Sequence, residues 1–311
     1  MTIETKTIPL IRTKLQRPRL PGDLIPRPRL LERLHAGLER KVTLISAMAG
    51  SGKTTLLAQW LEDCPQSNAW LSLDERDNDR IAFLTYLCEA IRTVVPTVCD
   101  QALSLLHAPQ IPSAREITAL IVNELAGLSA NPVQDGTPSA APSQKDARSA
   151  SGLILALDDF HHITDPAIHQ IVAGLIEHLP QGVHLAMTTR TDPQLPLARL
   201  RARREVTEIR SEDLRFTLDE AQAFLEGTTG RELNLEAIHL LENKTEGWVV
   251  GLRLASLSMR TRSDHGAFVQ SFKGADSNLI VEYLLSEVLA RQPTEIQDFV
   301  LRTSVLDRFC A

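Results

Sequence analysis

Ser46-Ala47-Met48-Ala49-Gly50-Ser51-Gly52-Lys53-Thr54-Thr55 follows the apolar run Val42-Thr43-Leu44-Ile45 and precedes Leu56-Leu57-Ala58-Gln59-Trp60-Leu61, whose apolar residues have helical spacing. A buried strand, a glycine-bearing loop and a helix in that order constrain the fold more than any other stretch. Such a loop turns its backbone N–H groups toward phosphates at a helix N-terminus. Ala49, Gly50, Ser51, Gly52 and Thr55 are the expected backbone contacts. Lys53 is placed to neutralise phosphate charge, and the Thr54 hydroxyl to bind Mg²⁺. The usual pattern has glycine six residues before the lysine. Here that position is Ala47, while Gly50 and Gly52 keep the close backbone approach.

Apolar strand patterns at 42–46, 69–73, 153–157, 183–188 and 206–210 alternate with amphipathic stretches at 53–64, 80–95, 114–128 and 167–179. That alternation predicts an α/β fold, a mainly parallel five-stranded sheet between helix layers. A nucleotide then belongs at the carboxyl ends of the strands. Residues 131–151 are rich in Pro, Ser, Ala and Gly and read as a flexible surface insertion. After Arg210 strand signals stop. Thr217-Leu218-Asp219-Glu220 has the form of a capping box, and helical patterns follow at 234–243, 247–259, 277–290 and 294–301. The chain stops at Cys310-Ala311 soon after an apolar helix, which reads as a segment of a longer protein.

Leu153-Ile154-Leu155-Ala156-Leu157-Asp158-Asp159 supplies the expected partner of the loop. A buried strand ending in an acid delivers a carboxylate to the sheet edge, where Asp158 can bind Mg²⁺ through water. Asp159 is then the candidate to orient or deprotonate an attacking water. The strand His184–Thr189 ends in polar groups followed by Arg190. If that strand lies between the other two, Arg190 sits beside the terminal phosphate. His161 and His162 have no matching ligand cluster and read as loop residues. Asn243-Lys244-Thr245-Glu246 resembles a guanine-reading motif but ends in Glu and follows a helix, so GTP specificity is rejected.

Composition narrows the field. The 311 residues, 43% hydrophobic and 23% charged, suit a globular chain with a sizeable core. The net charge of −6 hides a basic start, where residues 1–41 hold ten Lys/Arg against four acids. Such an arm can contact nucleic acid, pack on an acidic domain, or approach phosphates. Cys64, Cys88, Cys99 and Cys310 lack C-x-x-C spacing and read as reduced thiols in a cytoplasmic protein. No leader or membrane-length apolar run is visible.

Taken together, the motifs resemble the STAND-class NTPase module of MalT-like, LuxR-type transcriptional activators. The matching strings are Ile25-Pro26-Arg27-Pro28-Arg29-Leu30-Leu31-Glu32-Arg33-Leu34, the loop itself, and Trp70-Leu71-Ser72-Leu73-Asp74. Further matches are Leu157-Asp158-Asp159-Phe160-His161, the run 188–203, Leu214–Ala221 and Glu246–Ala255. The resemblance implies an ATP- and Mg²⁺-dependent switch, assembly-competent with ATP and resting with ADP, whose slow hydrolysis resets it. It also implies that Ile25 and Arg27 hold the adenine end and that Arg190 is the sensor arginine. The implied organisation is a basic arm (1–24), a P-loop nucleotide-binding domain (25–210), an all-α lid (211–265) and the start of a winged-helix-like region (266–311). Promoter DNA would be read only by a helix-turn-helix domain further along the protein. Relatives carry Gly-Trp-Pro where this chain has Gly247-Trp248-Val249. Two other readings are a P-loop kinase or ATP-dependent ligase acting on a small molecule, and a AAA+-like remodelling motor. The first needs an acceptor-binding insertion and extra phosphate-facing arginines.

Overall fold

In the computed structural model, β1 (Val42–Ser46), β2 (Ser67–Ser72), β3 (Leu153–Asp158), β4 (Val183–Thr189) and β5 (Val206–Ile209) pair in parallel, in the order β2-β3-β4-β1-β5. The predicted five-stranded sheet is present, with β2 beginning two residues earlier than the apolar pattern suggested. Every residue of β1, β3 and β4 is buried. Side chains alternate between faces, so both faces are covered, as parallel sheets require. The structure describes residues 10–106, 108, 112–130, 152–230, 232–260, 278–291 and 293–304. The expected insertion at 131–151 and Cys310 lie outside them, and Cys64, Cys88 and Cys99 are buried free thiols.

By its contacts the chain divides into two units. The first comprises Met1–Pro21, Arg27–Met48 and Lys53–Asp213. Its helices are α1 (Pro28–Ala36), α2 (Lys53–Asp63), α3 (Arg80–Arg92), α4 (Asp100–Leu106), α5 (Ala114–Ala130), α6 (Pro166–Glu177) and α7 (Leu197–Ala202). Phe83, Leu87 and Ile91 of α3, Ile121 and Leu125 of α5, and Ile168 and Val172 of α6 share one core with Leu155 and Leu185. Burying each such side chain contributes roughly 1.5–3 kcal/mol. The helix starts are specified locally. The Asp79 carboxylate accepts from the Ile81 and Ala82 N–H groups, and Asp165 accepts from Ala167 N–H ahead of a helix opening with Pro166.

Trp60 of α2 is fully buried and meets His184 of β4 edge-on, with ring centroids 5.9 Å apart. Burial pushes the His184 pKa down to about 4, so the ring is neutral at pH 7. Its Nδ1 lies 2.8 Å from the Arg40 carbonyl and its Nε2 2.9 Å from Thr43 Oγ1. A carbonyl only accepts, so Nδ1 carries the proton and Thr43 donates to Nε2.

One charge of the basic arm is spent on the chain's own acids. Lys14 lies in a single 3-10 turn (Arg12–Leu15). Its Nζ is 2.8 and 2.6 Å from the two Asp77 oxygens, 3.1 Å from Asp74 and 4.8 Å from the centre of the Tyr86 ring. The Ile11 N–H donates to the Tyr86 hydroxyl at 3.0 Å. Of the three uses considered for the arm, packing on acidic groups is the one seen at Lys14.

The second unit gathers Gly22–Pro26, Ala49–Gly52 and Leu214–Ala311. Its helices are α8 (Leu218–Thr229), α9 (Leu235–Thr245), α10 (Val249–Arg260), α11 (Asn278–Tyr283) and α12 (Thr294–Thr303). Phe216, Phe224, Leu225, Ile238, Leu241, Leu252 and Met259 form its core, with Ile25 packed against them. The capping box forms as expected: Thr217 Oγ1 accepts from Glu220 N–H while Glu220 Oε2 accepts from Thr217 N–H. The helix expected at 277–290 is not uniform. After α11 it passes through a π stretch (Leu284–Val288) and a 3-10 turn (Leu289–Arg291). Apolar spacing of three to four residues does not distinguish these hydrogen-bond patterns.

Candidate functional site

The sheet order creates the site. Because β4 lies between β3 and β1, Asp158, Thr189 and Ser46 end three neighbouring strands, with Thr188 the last residue but one of β4. Register pairs Ser46 with Thr189 and Ile45 with Thr188, while Ser72 faces Asp158 across β2 and β3. The condition attached to Arg190, a central β4, is therefore met.

Asp158 is 4% exposed. Its Oδ1 accepts from Thr54 Oγ1 at 2.9 Å and from Thr188 Oγ1 at 2.7 Å. The Thr188 hydroxyl accepts in turn from the Asp159 N–H at 2.9 Å. Burial, reinforced by the neighbouring Asp159 charge, raises the Asp158 pKa to about 6, against the opposing pull of Thr188, Thr54 and Lys53. Asp159 adopts the left-handed conformation (φ 57°, ψ 42°) at the start of a single turn, Phe160–His162. A non-glycine residue held there is uncommon and concentrates at functional sites. Its carboxylate lies 3.7 Å from His161 Nδ1.

Lys53 opens α2 and is buried, and its ammonium donates to the Met48 carbonyl at 3.0 Å. Burial pulls its pKa below the ordinary lysine value, and the Arg190 charge adds to that against Asp159 and Asp158. Lys53, Thr54, Asp158, Asp159 and Arg190 thus form one electrostatic cluster in the first unit. Gly50 (φ 73°) and Gly52 (φ 83°) take the left-handed turns of the loop, and Ala49–Gly52 make their contacts within the second unit. Thr55 follows in the first turn of α2, half-buried.

The expected adenine-side residues part company. Ile25 packs into the second unit's core. Arg27, 5% exposed, precedes α1 and donates to the Asp213 carbonyl at 3.4 Å within the first unit. Two residues outside the sequence-based site also matter. Thr188 joins the Asp158 carboxylate to the Asp159 backbone N–H, and a hydroxyl near the end of an apolar strand does not by itself point to that role. Trp248 donates its indole N–H to the Ala49 carbonyl at 3.1 Å, a contact that no local pattern announces.

The donor set suits Mg²⁺. Thr54 and Asp158 supply hard oxygens side by side, and Mg²⁺ takes only one or two carboxylates with water and phosphate oxygens for the rest. Among the described residues no group of three or more His, Cys, Asp or Glu gathers to hold a metal without such help. A cleft of about 840 Å³ over α6, edged by Arg80, Arg115 and Arg203, shares no residue with this cluster. No helix among the described residues is long and apolar enough to cross a membrane.

Comparison with known proteins agrees with the geometry. The AAA ATPase domain family matches residues 28–188, and the MalT winged helix domain family matches residues 285–311. The chain is 34% identical to the HTH-type transcriptional regulator MalT of Yersinia pestis over 96% of its length and 31% of that protein's. It is 33% identical to the serine/threonine-protein kinase PknK of Mycobacterium tuberculosis over 98% of its length and 26% of the kinase's. The chain therefore spans about a third or less of these relatives. In fold it resembles a Walker-type ATPase of Pyrococcus abyssi (TM-score 0.57, 15% identity, 94% of this chain and 83% of that one). It also resembles a STAND protein with a tetratricopeptide repeat sensor from Pyrococcus horikoshii (TM-score 0.50, 18% identity, 95% and 36%).

Proposed function

The chain belongs to the AAA ATPase domain family, and from that premise we propose that it is a MalT-like, STAND-class P-loop NTPase module serving as the ATP-operated switch of a transcriptional regulator. The observation that carries the reading is the shared Asp158 carboxylate. Thr54, from the helix after the phosphate loop, and Thr188, from the central strand, converge on it, so the helix that opens with Lys53 and the acid pair form one cluster.

In this reading the loop N–H groups and Lys53 hold the phosphates of ATP. Thr54 and Asp158 hold Mg²⁺, which when bound offsets charge on the phosphate oxygens. Asp159 orients the attacking water and accepts its proton as the terminal phosphoryl group leaves ADP. Arg190 faces that group and registers its presence. Ile25 and Arg27 serve the adenine end. Slow hydrolysis resets a form that self-associates with ATP and rests with ADP, in a cytoplasmic protein whose promoter contacts lie in a separate helix-turn-helix domain. The domains follow as a basic arm (1–24), a nucleotide-binding domain (25–210), a lid (211–265) and a winged-helix-like region (266–311).

Equilibrium titration with a fluorescent ATP analogue tests the site. Lys53→Ala is expected to weaken binding at least about tenfold, since a charged hydrogen bond contributes roughly 1.5–3 kcal/mol. Unchanged affinity would refute the assignment. Asp159→Ala is expected to keep Mg²⁺-dependent binding and lose turnover, whereas Asp158→Ala loses the Mg²⁺ dependence itself. Light scattering with ATP and with ADP tests self-association: equal mass in both states contradicts the switch.

A further inference from the structure

Within the second unit, Trp248 stands just before α10, after Glu246 (φ 52°) and Gly247 (φ 67°) turn the chain. Its indole N–H reaches the Ala49 carbonyl. Two residues on, the Val250 backbone N–H donates to the Gly50 carbonyl at 3.3 Å. The two acceptors are consecutive carbonyls of the phosphate loop. The Trp248 ring lies 5.6 Å from that of Tyr283. Gly50 is required twice over. Its φ is positive, and a Cβ there would come within 2.6 Å of Val250 Cγ2 and 2.8 Å of the Tyr283 hydroxyl.

The chemistry of these donors leaves little choice. An indole N–H donates and never accepts. Val250 lies in the first turn of α10, where backbone N–H groups lack intrahelical partners. Each finds its acceptor on the loop. A phosphate loop works because successive N–H groups point into one concavity. Holding the carbonyls of Ala49 and Gly50 from outside fixes the peptide planes that aim those N–H groups.

We propose that Trp248 is a positioning residue for the phosphate loop: with the Val250 N–H it clamps the Ala49 and Gly50 carbonyls and keeps the loop's N–H groups set for phosphate. The proposal rests on the ATP reading above. Trp248 acts through the loop and not by touching nucleotide, so its loss should affect ATP and ADP alike.

Two measurements on the full chain test it, comparing wild type, Trp248→Phe and Trp248→Ala. Thr217→Ala, which removes a cap of α8 and lowers stability elsewhere in the second unit, is the control. The first is amide hydrogen exchange without nucleotide. Residues 49–53 are expected to exchange about 3–10-fold faster in Trp248→Phe, matching loss of one neutral hydrogen bond, and at the wild-type rate in Thr217→Ala. The second is stopped-flow displacement of fluorescent ATP and ADP analogues, where dissociation of both is expected to quicken by a similar factor in Trp248→Phe. Wild-type exchange in Trp248→Phe overturns the clamp, as does equal acceleration in Thr217→Ala. Failure of the wild-type chain to bind either analogue counts against the ATP reading instead, while the exchange result still decides the clamp.

Discussion

Asp158 carries the most consequential charge in the chain. Burial and Asp159 hold its pKa near 6, so its carboxylate is costlier in the folded than in the unfolded chain. Between the ordinary value of 3.8 and about 6 the folded state binds the extra proton, and stability falls as pH rises through that window. Asp158→Asn should therefore raise the melting temperature of the nucleotide-free protein at pH 7.5, reflecting on the order of 3 kcal/mol, while abolishing Mg²⁺-dependent binding. A lower melting temperature contradicts this account. For the wild type, Mg²⁺-dependent nucleotide affinity should weaken as pH drops below about 6. In Thr188→Val the carboxylate loses a donor and its pKa rises further, so the same weakening should begin at higher pH in a titration series. Asp158 was legible because an apolar strand ended in acid. Thr188 was not, because only the order of strands brings its hydroxyl to that acid.

At the scale of elements, the 3-10 turn that carries Lys14 is a fastener for β2 and α3. Asp77 is 1% exposed, and removing its cation leaves a buried charge uncompensated, which costs about 3–5 kcal/mol. Lys14→Met should lower the denaturation midpoint accordingly, and Lys14→Met with Asp77→Asn, which removes the charge and keeps an acceptor for the Asp74 N–H, should recover most of the loss. Equal destabilisation of the single and double variants would contradict this. Gly52 illustrates a different constraint. Nothing lies within 4 Å of a Cβ built there, yet its φ is +83°. Gly52→Ala should therefore cost about 1–2 kcal/mol through backbone strain alone. The strands, the capping box and the loop were legible because each is written in a few adjacent residues. The partner of Lys14 lies sixty-three positions away and leaves no local mark.

For the whole molecule, linear order and spatial membership diverge. Gly22–Pro26 and Ala49–Gly52 belong to the helical unit although the first unit's sequence surrounds them. A segment cut at residue 214 therefore lacks Ile25, which covers part of its core. Expressed alone, residues 214–311 should melt without a sharp transition, whereas the intact chain should melt cooperatively. A cooperative melt of the isolated segment contradicts the assignment. Apolar periodicity predicted the alternating sheet and the run of helices after it. It contained nothing about which short segments cross from one unit to the other, because those contacts are long-range and made by ordinary residues.

The setting of Trp248 has an optical consequence. The chain has three tryptophans. Trp60 and Trp70 are sealed in the first unit's interior at 0% and 2% exposure, where emission is blue and quenchers do not reach. Trp248 is half-buried, with its indole nitrogen on a loop carbonyl. The quencher-accessible, red-shifted part of the protein's own fluorescence therefore comes from one residue, and the phosphate loop carries a built-in dye.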